Sequence, residues 1–324
     1  MAAEIESFAS FREPAWHKLG TVFDHEVTSA REMMDLANLS NWNVRLEAVP
    51  MPDNYTSAKD NFLVVRDHPT AGNPDVLAVV GERYKVLQNE ELFDFGDHLG
   101  DGARWETAGS LKSGRVVFGS LALERQTVLD PNGVSDVVHT YLLVNTSHDG
   151  STAVQASVTP VRVVCANTLA VALKGAKQSF KMRHTQSLDG RVAAAREAIG
   201  LANSFMDKFD EMAHAMIQAE ITKDTFNKIV SLAYPMPEKD TKGAVTKWSN
   251  KVDLIDEIYT GDYNGMIAGT AWGAWNALTE RLDWYRTARK NNSEGIYAAA
   301  SGFDPVTTAE KAKLLSIVRE VVGV

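Results

Sequence analysis

The chain has one cysteine, Cys165, among 324 residues. A lone thiol excludes an internal disulfide framework and any cysteine-based zinc cluster, and such sparing use fits a reducing compartment. No apolar run approaches the roughly 18 residues that span a bilayer. The opening "MAAEIESFASFREPAW" has neither a basic n-region nor an apolar h-region, so no signal peptide is expected. Phosphate-loop spacing is missing too: there is no GxxxxGK[ST], and no GxGxxG after a strand. The eight histidines fall into no HxH, HxxxH or HExxH pattern, and no metal or cofactor is expected. A global excess of positive charge is also absent. The net charge of −9 argues against a protein that is basic throughout.

What is present is a globular composition, 44% apolar and 23% charged, with length enough to bury a sizeable core. Charge is unevenly spread. Residues 1–170 carry 23 acids against 13 Lys and Arg, whereas the remainder is nearly balanced. Within 151–200 stand seven bases, Arg162, Lys174, Lys177, Lys181, Arg183, Arg191 and Arg196, against Asp189 and Glu197. A basic segment inside an acidic protein either faces phosphate or forms a solvated face paired with acids elsewhere.

The first half reads as strands. "WNVRLEAVPM", "NFLVVRD" and "DVLAVVGERYKVLQ" are rich in β-formers, and "RWETAGSL" and "GRVVFGSLALE" flank the turn "KSG". "DVVHTYLLVNTS" and "STAVQASV" are joined by His148-Asp149-Gly150, where Asp-Gly suits the positive φ of a tight hairpin. "NEELFDFGDHLG" reads as a short helix capped by Asn89. The second half reads as helices. Residues 161–174 suggest a buried helix ending at Gly175. A long helix over 189–220 has the seam Val192, Ala195, Ile199, Ala202, Met206, Phe209, Ala213 and Met216. Further helices are expected near 222–233, 245–259, 266–290 and 308–322, the last capped by Thr307 or Thr308. Strands followed by helices indicate an α+β fold: an antiparallel β-sheet packed on helices over 1–185, then a helical region over 186–324.

Several residues are chemical candidates. Cys165 would need a base, His148 or His184, and an orienting group, Asn167 or Asp149, to act as a nucleophile. Its apolar surroundings, "VRVVCANTLAVAL", are those of an inert buried thiol. "GSLKSGR" from Gly109 to Arg115 is at most a phosphate-touching loop tip. Trp16 in "EPAWHKLG" reads as an anchor for the N-terminus. Two stretches interleave bases with aromatics as single-strand binding requires. One holds Arg162, Lys174, Lys177, Phe180, Lys181 and Arg183; the other is "RLDWYRTARKNN", with Arg281, Trp284, Tyr285, Arg286, Arg289 and Lys290.

The strings "AWHKLG", "GERYKVLQNEELFDF", "AGSLKSGRVVF", "VNTSHDGSTAV", "TPVRVVCANTL" and "RHT", in this order from Trp16 to about Phe209, resemble the phage/plasmid-like protein family built on domain of unknown function nine-three-two. That resemblance implies a mobile-element protein in the cytoplasm of a bacterial host. It implies no activity and no catalytic residues. The order of three strands and a helix over 114–174 is also similar to the core of the Rad fifty-two-like single-strand-annealing superfamily, an analogy of fold alone. The leading expectation is a non-enzymatic, oligomeric single-stranded DNA-binding or annealing protein. In it Arg162, Lys174, Lys177, Lys181 and Arg183 meet phosphates and Phe180 stacks on bases. Two others stand beside it: a small-molecule or nucleotide-processing enzyme with a site near His148, Asp149, Asn167 and His184, and an acidic host-takeover factor that binds a bacterial protein.

Overall fold

The computed structural model describes residues 5–12, 20–53, 60–130, 132–162, 179–184, 192–238, 241–285 and 305–324. Trp16, Cys165, Asn167, Lys174, Lys177 and Arg286 to Lys290 lie outside them. The fold is mixed, with sheets in the first half and helices concentrated in the second, as the alternation of apolar residues suggests.

Among the described residues ten strands form two sheets: β1 (Ile5–Phe11), β2 (Thr21–Phe23), β3 (Arg45–Ala48), β4 (Asn61–Asp67), β5 (Pro74–Gly81), β6 (Arg104–Leu111), β7 (Val116–Leu129), β8 (Asp136–Ser147), β9 (Val154–Arg162) and β10 (Ser179–Met182). The larger sheet has the order β10-β9-β8-β7-β6-β1-β2, and the smaller β3-β4-β5. Both expected hairpins form. Gly114 and Gly150 adopt φ +81° and +71°, the left-handed region that L side chains rarely enter. The arm around Phe180 is a strand, antiparallel to β9 with Phe180 opposite Ala156. Residues 161 and 162 close β9, so strand occupies the start of the helix expected at 161–174.

Among the described residues the α-helices are α1 (Ala30–Leu36), α2 (Asn89–Gly100), α3 (Val192–Gln218), α4 (Lys223–Ala233), α5 (Lys242–Thr260), α6 (Ala271–Trp284) and α7 (Pro305–Val322). Gln88, not Asn89, precedes α2. Its amide donates to Glu91 Oε2 at 2.7 Å, while its side chain pairs with the backbone of Val44. Thr222, Thr241 and Thr270 cap α4, α5 and α6 through their hydroxyls. The last helix starts at Pro305, ahead of the expected threonine caps, because proline suits the first helical turn. The α3 seam is buried at Ala195, Met206, Phe209, Ala213 and Met216.

The chain divides into two compact units. One comprises Met1–Glu124, Tyr141–Val158 and Lys177–Ala202; the other Arg125–Thr140, Thr159–Ala176 and Asn203–Val324. The division is not a single cut, because the far ends of β7, β8 and β9 group with the helices. In the sheet unit, α2 packs on the sheet by setting Gly96 against Trp105 and Gly100 against Leu121. In the helical unit, Trp272 and Trp275 are fully buried, and Trp272 donates to Asp136 at 2.9 Å. Among the described residues no helix is long and apolar enough to cross a membrane.

Candidate functional site

Four segments of the sheet unit meet at one end: the turn 82–85 after β5, the turn 112–115 between β6 and β7, the loop 147–152 between β8 and β9, and residues 183–184 after β10. Hydrogen bonds tie them together. Lys85 N donates to His184 O at 2.6 Å, Tyr84 Oη to Ser147 O at 3.2 Å, and His148 N to Arg115 O at 2.7 Å. The Tyr84 and His184 rings stack with centroids 5.1 Å apart and planes 20° apart. Of the residues named for an enzymatic site, His148, Asp149 and His184 thus come together.

Their environment argues for structure rather than chemistry. His148 is fully buried; its ring lies on Trp42, and its Nε2–H donates to Asn89 Oδ1 at 3.0 Å. Burial, reinforced by His184 and Arg66, pushes its pKa down to about 3. A sealed imidazole that stays neutral near pH 7 neither reaches a substrate nor takes up a second proton there. His184 is also buried, and its Nε2–H donates to Thr152 O at 3.1 Å. Burial lowers its pKa, against the opposing effect of its hydrogen bonds. Asp149 departs downward: burial would raise it, but the Ser151 hydroxyl and amide outweigh that, with Ser147 and Lys112 adding to them.

Around this sealed centre stands a rim of cations. Arg83, Lys85, Lys112, Arg115, Lys181 and Arg183 are all exposed. Among the described residues none of the six is in a salt bridge. Elsewhere in the same unit cations are engaged. Arg31 pairs with Asp35, Arg45 with Glu47 and Asp67, Arg66 with Glu6 and Asp75, and Arg104 with Glu26 and Glu106, while Arg12 lies over Phe11. Among the described residues, Asp149 lies within electrostatic reach of Lys112, and the exposed Glu82 is next to Arg83 in the chain. In an acidic chain these six exposed cations, with no salt bridge among the described residues, are a local concentration of positive charge.

The rim includes two of the expected phosphate residues, Lys181 and Arg183, the two bases of the Gly109–Arg115 turn, Lys112 and Arg115, and two that the sequence did not single out, Arg83 and Lys85. Arg162 ends β9, and its side chain is not described. Phe180 does not stand free for base stacking: it is half-buried, its ring 5.8 Å from that of Phe95.

One cluster has metal-ligating residue types. Glu6, His68 and Asp75 offer donor atoms within 4.8 Å of one another. However, His68 Nδ1 accepts the amides of Thr70 and Ala71 at 3.1 and 2.9 Å. A neutral ring therefore carries its proton on Nε2, the nitrogen that faces the carboxylates at 3.6 Å. Both carboxylates already bind Arg66, and Glu6 also accepts Ser110 Oγ at 2.9 Å. The donor set fits a clamp on Arg66 better than a cation.

Comparison with family models gives a match to a domain of unknown function, DUF932, over residues 76–301. The match runs well past Phe209, into the helical region. Neither curated proteins nor solved structures give a match.

Proposed function

Because the chain belongs to the DUF932 family, a membership that assigns no chemistry, we propose from its own geometry that it binds single-stranded DNA through the cationic rim. On this reading it is a non-enzymatic strand-binding or annealing protein of a phage or plasmid. The supporting observation is the six exposed cations, in no salt bridge among the described residues, on three chain segments around the 147–152 loop. Lysine and arginine that neutralise phosphates release condensed counterions, which drives such binding. Tyr84 is stacked on His184, and Phe180 packs on Phe95, so the contact on offer is with the backbone and not with the bases. A strand held by its phosphates keeps its bases free to pair, as annealing requires.

Anisotropy of a labelled single strand over a salt series tests this. Six phosphate contacts give a log–log slope near −4, from about 0.7 per contact on single strands. Absence of binding at low salt, or wild-type binding by a variant with all six cations changed to alanine, would sink the proposal.

A further inference from the structure

We propose that Arg66 is the positioning residue of the cationic rim: it fixes the Lys112–Arg115 turn through Gly114 and so holds Lys112 and Arg115 towards solvent. The importance of the turn for DNA rests on the reading above; its dependence on Arg66 does not.

Arg66 lies in β4 and is wholly buried. Its guanidinium forks onto Glu6 of β1, with Nη1 2.8 Å from Oε2 and Nη2 on Oε1, and Nη2 also reaches Asp75 at 3.0 Å. Ser110 donates to the same Glu6 carboxylate, and Ser7 and Ser110 hydrogen-bond at 2.8 Å. One face of the guanidinium covers Trp42, with Cζ 4.1 Å from the ring centroid. The group is therefore held by a carboxylate fork and an aromatic face.

The turn sits directly on this fixed group. A β-carbon at Gly114 would stand 2.2 Å from Nη1 and 2.5 Å from Cζ. The end of an arginine ordinarily yields to such a contact, but this one cannot without breaking its fork. The turn itself is locally unfavourable. Lys112, Ser113 and Gly114 have φ of +56°, +53° and +81°, and only the last is glycine. From the other side Trp42 packs on His148, whose amide donates to Arg115 O. Arg66, Trp42, His148 and the turn thus close a cycle of contacts. Charges fixed before the strand arrives spare it the entropy of ordering them.

The test uses full-length Arg66→Lys, which keeps the charge but loses the planar fork, and Gly114→Ala, which keeps the arginine and sets a β-carbon against it. It reads hydrogen exchange at the Arg115 and His148 amides and the salt slope of single-strand binding. Both variants are expected to melt cooperatively and to exchange faster at these two amides, with α2 amides unchanged. Their salt slopes should flatten by about 1.4, two contacts' worth. Lys112→Ala/Arg115→Ala should flatten it equally, and combining that pair with Arg66→Lys should add nothing. Wild-type exchange at Arg115 and His148 in a folded variant overturns the positioning role, as does a wild-type salt slope where the parent protein binds. If the parent binds no single strand, the DNA reading fails alone, and the exchange rates still decide the role of Arg66.

Discussion

Trp105 fills the notch that Gly119 leaves in β7: a β-carbon at position 119 would lie 2.7 Å from Cζ3 of its indole and 3.1 Å from Cε1 of Phe93. The indole cannot retreat. It is fully buried, stacks on Phe93 at 4.8 Å, and donates from Nε1 to Asp97 at 2.8 Å. Gly119→Ala should therefore destabilise the sheet unit by about 1–3 kcal/mol through overpacking. Gly200, in α3, has nothing within 4 Å of its virtual β-carbon, so Gly200→Ala should stabilise its helix by up to about 1 kcal/mol. Urea midpoints of the two variants, moving in opposite directions at similar m-values, check this.

His148 makes the sheet unit acid-sensitive. Its folded pKa, about 3, lies below the ordinary histidine value of 6.5. Between these values the unfolded chain binds the proton that the folded chain refuses, so stability is full above 6.5 and falls as the pH drops towards 3. The slope is at most about 1.4 kcal/mol per pH unit, with a ceiling near 5 kcal/mol in total. Hydrogen exchange at β8 amides should show protection lost between pH 6.5 and 4. His148→Gln, which can still donate to Asn89, should flatten that loss; an unchanged pH profile in the variant would remove His148 as the cause.

The helical unit should respond with the opposite sign. Lys311 Nζ lies 2.7 and 2.8 Å from the two oxygens of Asp283, and both side chains are buried. Burial raises the Asp283 carboxyl to about 7 against the lowering effect of Lys311, with Glu280 adding to the rise. Between 3.8 and 7 the folded chain holds a proton that the unfolded chain releases. This contribution is full below 3.8 and is lost as the pH climbs through 7. Asp283→Asn should remove the decline in α6 protection between pH 5 and 8, measured by the same exchange experiment.

Elements with local causes were legible in the sequence. Asp149-Gly150 and "KSG" announced hairpins through residues that tolerate positive φ, and the three-four spacing announced α3. The site was legible only in part, because its logic is non-local. Asn89 looked like a helix cap, yet its side chain donates to Leu39 O, 50 residues away, and receives the ring of His148. Arg83 and Lys85 carried no signal, since their making no salt bridge among the described residues depends on which strands end beside them. Arg66 was ordinary in "NFLVVRD"; only the fold brings Glu6, Trp42 and Gly114 around it. The expectation that Phe180 stacks on bases could not foresee Phe95, because a basic, aromatic arm looks the same in sequence whether or not it pairs as a strand.

The contrast between rim cations and paired cations predicts a trade between stability and binding. Arg83, Lys85, Lys181 and Arg183 are exposed and make no salt bridge among the described residues, so removing their charge breaks no ion pair there. Changing them in pairs to glutamine should leave the melting temperature unchanged or raise it, while weakening single-strand binding and flattening its salt slope. Arg104 is the converse: it bridges Glu26 and Glu106 and lies over Phe11. Arg104→Gln should lower the melting temperature and leave binding as it was. A thermal melt paired with anisotropy on the same variants separates the two classes. If the rim substitutions destabilise the fold as Arg104→Gln does, the rim is a structural surface and the argument for binding loses its support.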